Sequence, residues 1–287
     1  RGGVDGAFFA LYVPARLDSD PDKGLEYAEK LLSGVKDAVR RNSEHVAFAN
    51  TPSEALDNKA ASRLSVFLGL ENASPIGDDI SRVKHLYDKG VRYFTLCHSS
   101  NNCICDSCAS DIKMWGGLSP FGKEVIAEMN RLGILVDVSH VSDDTFYDVL
   151  QYSSKPVVAT HSCCRALASH PRNLSDEMIV ALASAGGVIQ INFYPLFLDD
   201  GFRSVLLDSG IMERGEDVEA EFIADPSDPD KRRRWNQVQD ELLALSRPSY
   251  KRIVDHIDHV VSLVGVDHVG LGSDFDGIEV TPEGLED

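Results

Sequence analysis

The amino-acid sequence predicts an α/β fold built on a parallel sheet, of the (β/α)8 barrel type. Seven short apolar runs of strand character alternate with stretches of helical periodicity, and alternation of that kind at this length implies crossover helices between parallel strands. Several runs end on His, Glu or Asp, at the place where barrels carry their chemistry. No Gly-x-Gly-x-x-Gly turn follows the first run, which argues against the alternative, an open doubly wound sheet. A barrel of this type needs one strand more than the seven found. The first run is already strand-like at residue 4, and the last lies near the end. The expectation is therefore one domain over residues 1–287 that lacks the first strand and the C-terminal helices, with an insertion at about residues 198–250.

The first strand is Val4–Val13, stopped by Pro14, and Leu25–Val39 follows with apolar residues at helical spacing. Ser65–Glu71 is the next strand and ends on a carboxylate; Ile80–Tyr87 is a helix closed by Gly90. Val91–His98 is a strand ending on a histidine. After a loop rich in Asn, Cys and Asp, Ser119-Pro120 supplies an N-cap and a first helical residue, and that helix runs to Gly133. Ile134–His140 and Pro156–His161 are strands that each end on a histidine, with a helix over Ser142–Ser154 between them. Ser175 caps a helix through Ala185, and Val188–Tyr194 is a strand. Leu198–Tyr250 breaks the rhythm. It is charged, helical in Arg234–Ala244, and its basic run Lys231–Arg234 reads as a solvated helix face. Ile253–Val264 is a helix and His268–Asp274 the last strand, ending on a carboxylate.

At 287 residues and 43% hydrophobic, the chain can bury one large core. No apolar run approaches the roughly 20 residues of a transmembrane helix. A net charge of -18 with no basic stripe argues against nucleic acid or an anionic membrane as partner. No secretory signal is visible, but the chain opens at Arg1-Gly-Gly, so cytoplasmic and exported locations both stay open, as does a homodimer. Of the six cysteines, Cys103, Cys105 and Cys108 have a knot-like spacing. They lack a second ligand pair at finger spacing, so loop or packing roles are preferred over a thiolate metal site.

Glu71, His98, His140, His161 and Asp274 thus fall at strand ends expected to share one rim. Imidazoles bind zinc and leave room for water. A carboxylate can bridge two cations, and an unligated Asp can take a proton from an activated water. A histidine without metal can support a developing oxyanion. Arg172, in His170-Pro-Arg172-Asn173, can clamp a carboxylate through its fork of donors. His170, His256, His259 and His268 read as structural.

These motifs occur in order with Gly69-Leu-Glu71-Asn-Ala, Gly116-Gly-Leu-Ser-Pro-Phe-Gly122, the block Asn130–Ser142 and Gly270-Leu-Gly-Ser-Asp274-Phe-Asp276-Gly277. Together they resemble the membrane (renal) dipeptidase family, peptidase family M19, from about Gly3 to Gly277. The resemblance implies a (β/α)8 barrel with two zinc ions that hydrolyses dipeptides. It implies that Glu71 bridges the metals, that His140 and His161 are ligands, and that Asp274 is the acid/base and meets the substrate's amino group. It also implies that His98 polarises the scissile carbonyl and that Arg172 holds the C-terminal carboxylate. The family carries a His-x-Asp pair on its first strand. No such pair occurs in the N-terminal part here, so that strand is expected to precede residue 1. A related amidohydrolase acting on another amide or lactone, and a non-catalytic member, are the alternatives.

Overall fold

The structure is a computed structural model and describes residues 3–285; Arg1, Gly2, Glu286 and Asp287 lie outside the described residues. The expectations about what precedes residue 1 and follows residue 287 therefore fall outside it too. The chain forms two compact units, the first reaching to residue 159 and including 184–187, the second taking 160–183 and the chain from 188 onward.

In the first unit β1 (Gly6–Tyr12) leads to α1 (Pro21–Arg41), β2 (Val46–Phe48), α2 (Pro52–Ala60) and β3 (Leu64–Glu71). Then come α3 (Ser81–Asp88), β4 (Val91–Thr95), α4 (Pro120–Leu132), β5 (Leu135–Asp137), α5 (Asp143–Tyr152) and the start of β6 (Val158–Ser162). The strands run parallel in the order β1-β3-β4-β5-β6. One edge of β3 is taken by β1 from Ser65 to Glu71. Its other edge is divided: β2 pairs Leu64–Val66, and β4 takes over from Leu68. Register places Tyr12, Glu71, Thr95 and Asp137 side by side in one row across four strands. Below that row the core is apolar, with Val66, Leu70, Phe94 and Ile126 wholly buried. Four side chains of that kind each remove roughly 1.5–3 kcal/mol worth of apolar surface from water.

The helices start where polar caps stand. Asp20, Thr51, Ser119 and Ser142 each accept from an amide in the first turn of α1, α2, α4 and α5. At the far end of α4, Gly133 takes φ 80°, a left-handed turn that costs glycine little and so ends the helix.

The second unit completes β6 and continues through α6 (Asp176–Ser184), β7 (Val188–Asn192), α7 (Pro195–Leu198), α8 (Asp200–Ser209), α9 (Ile211–Ala224), α10 (Pro229–Leu243), α11 (Lys251–Val264) and β8 (Val269–Gly272). β7 and β8 pair in parallel, with Asn192 opposite Gly272. Phe202, Leu206, Ile211, Val238 and Leu242 of α8–α10 bury together with Tyr194 and Val280. Among the described residues no helix is long and apolar enough to cross a membrane.

Three expectations need correction. There are eight strands among the described residues rather than seven, because β2 is a three-residue strand that pairs only with the start of β3. The segment 198–250 is helical well beyond Arg234–Ala244, since its apolar residues meet in a cluster of their own. β4 and β5 stop at Thr95 and Asp137, three residues before His98 and His140. His140 has φ 71°, a left-handed conformation that cannot continue a strand.

The six cysteines are free thiols. Cys97, Cys105, Cys163 and Cys164 are buried, Cys103 and Cys108 half-buried. Burial pushes the Cys164 thiol up to about 12 and raises Cys105 and Cys163 as well. His256 is fully buried in the second unit. Its Nδ1 accepts from the Cys164 amide at 3.0 Å, which leaves the proton on Nε2 to be donated to the Leu198 carbonyl at 3.0 Å. Burial holds this imidazole neutral and lowers its pKa from 6.5 to about 4. The unfolded chain therefore takes up a proton near 6.5, and the folded chain only near 4. The stability this gives is fully present above 6.5 and is lost as pH falls through the interval, at most roughly 3 kcal/mol. Urea midpoints at about pH 7.5 and about pH 4.5 should diverge more for the native chain than for His256→Gln; parallel shifts would show that His256 is not the linked group.

Candidate metal centre and active site

Glu71 closes β3, and His98 and His140 lie three residues past the ends of β4 and β5, all at the C-terminal side of the first unit's sheet. Their donor atoms lie within 4.8 Å of one another, the one group of three His, Cys, Asp or Glu among the described residues arranged to hold a metal ion. A Glu71 carboxylate oxygen stands 3.4 Å from His140 Nε2 and 3.9 Å from His98 Nε2. The two imidazoles lie 4.1 Å apart, centre to centre, and the Tyr12 ring covers His98 at 4.9 Å. All three side chains are mostly out of water, at 12%, 22% and 11% exposure for Glu71, His98 and His140. Two imidazoles and a carboxylate in that setting suit a borderline cation such as zinc. The donor set thus fits a metal.

The backbone beneath is also held. Thr95 donates to the buried Asp137 carboxylate at 2.5 Å, and the other Asp137 oxygen takes the Ser139 amide at 2.9 Å, turning the chain out of β5. Asn72, directly after Glu71, has φ 73° and is buried. Its amide donates to Val13 O at 2.9 Å and to Asp18 at 2.7 Å, and its oxygen takes the Ser74 amide at 3.2 Å. Left-handed non-glycine residues cost roughly 1–3 kcal/mol and persist where neighbours over-determine them.

The second unit carries the other expected residues. His161 lies in β6 and meets Thr160 Oγ1 through Nδ1 at 2.8 Å. Arg172 is 7% exposed. Its Nη2 donates to the His161 carbonyl at 3.1 Å and its guanidinium lies 5.3 Å from the Phe197 ring centre. Its Nε and Nη1 are buried with no hydrogen-bond partner among the described residues. His170, pushed down to about 4 by burial and by Arg172 beside it, takes the Arg172 amide on Nδ1 at 3.1 Å. It is neutral near pH 7 and steadies the turn that presents Arg172. Asp274 lies two residues past β8 with φ 60°, and Asn192 donates to its Oδ2 at 3.0 Å.

Glu71, His98 and His140 are thus brought together in one unit, and His161, Arg172 and Asp274 stand in the other. The expected split of roles kept His98 for the scissile carbonyl, and the geometry places its imidazole within the ligand cluster. Two residues escaped sequence reasoning. Tyr12 ends the first strand, and its position before Val13-Pro14 was the available signal. Asn192 ends β7, where a polar amide closes an apolar run.

Over residues 1–287 the sequence matches the family model for membrane dipeptidase, peptidase family M19, and the chain belongs to that family. Among its relatives are a dipeptidase of Clonostachys rogersoniana, verJ, 32% identical over 100% of this chain and 64% of that protein, and an uncharacterised dipeptidase of Schizosaccharomyces pombe, 34% identical over 100% and 61%. The chain thus spans about three-fifths of the length of these relatives. Among solved structures it is similar to the probable dipeptidase PvdM of Pseudomonas aeruginosa, with TM-score 0.77, 27% identity and coverage of 94% of this chain and 74% of that one. It is also similar to a metallo peptidase of Rhodobacter sphaeroides liganded with a phosphinate mimic of the dipeptide L-Ala-D-Ala, with TM-score 0.76, 25% identity and coverage of 100% and 77%.

Gly272, opposite Asn192, shows how tightly the second unit's residues are packed. A Cβ there would drive into the Thr160 carbonyl and lie 3.1 Å from the His161 Cα. Gly272→Ala should push β8 off β6 and cost roughly 1–3 kcal/mol in urea unfolding. A variant as stable as the native chain would show that the backbones are not so close.

Proposed function

We propose that the whole protein is a zinc-dependent dipeptidase, a single-domain (β/α)8 barrel with an insertion at about residues 198–250. The observation that carries the reading is the cluster of Glu71, His98 and His140, with donor atoms within 4.8 Å, in a chain of this family. Glu71 would bridge two zinc ions and His140 and His161 would be ligands. When bound, the metal pair would supply positive charge for the scissile oxygen and a water acidic enough to attack near neutral pH.

The remaining roles belong to the chain's own side chains. His98 would donate to the oxygen on which charge develops. Asp274, oriented by Asn192, would meet the substrate's amino group, accept the proton of the attacking water and pass it to the leaving amine. Arg172 would take the C-terminal carboxylate. A buried guanidinium with unanswered donors is costly, and an anion in the bound state would answer donors that the described residues leave open.

Arg172→Lys should weaken binding of a dipeptide by tenfold or more, yet change hydrolysis of its C-terminal amide little, because lysine cannot form the two-pronged contact. Equal losses on both substrates would refute the assignment. Asp274→Asn should retain zinc while turnover falls by roughly a hundredfold or more. Metal content and turnover are to be measured on the same sample: loss of zinc would make Asp274 a ligand, and surviving turnover would move the proton transfer to Asp276.

A further inference from the structure

We propose that Ser107 is a positioning residue that sets the two imidazoles of the metal cluster against each other; the inference rests on the metal reading above. Ser107 belongs to the loop between β4 and α4 and is 1% exposed. Its Oγ lies 2.5 Å from the carbonyl of His98 and 3.3 Å from the carbonyl of His140. One hydroxyl thus stands between the two segments that carry the neighbouring histidines. It has a single proton, given to the nearer His98 carbonyl, and the His140 carbonyl takes the Cys108 amide at 2.9 Å.

This matters because His140 is left-handed, at φ 71°. Such a backbone holds its imidazole in place only if its peptide groups are fixed from outside. The chain fixes them by a short antiparallel bridge, Ser107 opposite Val141, in which Cys108 donates to His140 and Ser142 donates to Asp106 at 2.9 Å. The Asp106 carbonyl also takes the Thr145 hydroxyl at 3.0 Å, which ties the bridge to the first turn of α5. On the other side, the Ser107 amide donates to Asn101 Oδ1 at 2.8 Å. The Asp106 carboxylate gathers the amides of Met114, Trp115, Gly116 and Gly117 at 2.8–3.3 Å. The loop is therefore a rigid clamp, and its one side chain that reaches both histidine backbones is Ser107. Outer partners of this kind change metal affinity by roughly 10–100-fold.

The test is titration of the full chain with Zn2+ alone, against a competing chelator, with circular dichroism to confirm folding. Ser107→Ala should raise the zinc dissociation constant about tenfold with the fold intact, and Ser107→Thr, which keeps the hydroxyl, should bind as the native chain does. Native affinity in Ser107→Ala, or an equal loss in both variants, overturns the proposal. If Ser107→Ala does not fold, Ser107→Cys is read instead: its thiol is a weak donor in the same place, and native zinc affinity there overturns the proposal. A native chain that takes up no zinc overturns the metal reading itself, and this inference with it.

Discussion

A carboxylate facing two imidazoles, mostly out of water, is the constraint on which the first unit turns. Glu71 stands 3.4 Å from one imidazole nitrogen and 3.9 Å from the other. A carboxylate and two imidazoles so placed suit a shared cation. Parallel register makes the placement possible. With Glu71, Thr95 and Asp137 in one row, whatever follows each strand emerges on the same side. The apolar layer beneath fixes that register, because a slip of one residue would turn Val66 and Leu70 away from the core.

The second unit uses different means. β7 and β8 are short, and the exits from their ends are set by polar side chains: Asn192 reaches the Asp274 carboxylate with its amide and takes the Tyr194 amide at 2.6 Å with its oxygen. Arg172 is held by a carbonyl, a ring face and a neutral histidine, none of which neutralises its charge. The hold on Arg172 leaves two of its buried nitrogens without a hydrogen-bond partner among the described residues, whereas Asp274 takes the Asn192 amide on one oxygen.

Much of this was legible in the sequence, for reasons that particular residues make plain. α4 has a polar cap, a proline, an apolar stripe and a terminal glycine, and all four act as written. α2 was not seen, because its nine residues bury only Asn58 and so leave no apolar stripe; the cap Thr51, Pro52 after it and Glu54 in the first turn were the cues. β2, three residues long, is too short for alternation to register. His98 and His140 were placed on the correct side of the sheet but inside strands, since residue pattern does not tell where pairing stops or, at His140, where a left-handed turn begins. Asp106 and Ser107 were invisible as supports because their partners are backbone groups, which carry no signature in side-chain sequence. Arg172 was legible as a motif, and its unanswered donors were not, because burial is a property of the fold.

The thiols carry a consequence of their own. Cys97 and Cys105 are sealed in one unit, Cys163 and Cys164 in the other, and the burial that raises the pKa of three of them keeps the reactive thiolate scarce in the closed molecule. Cys103 and Cys108 remain half open to solvent. Alkylation of the native chain therefore distinguishes the half-buried Cys103 and Cys108 from two slower inner pairs, and each inner pair becomes accessible only when its own unit opens. The sequence thus carries an internal chronometer for the breathing of each half, with no label added.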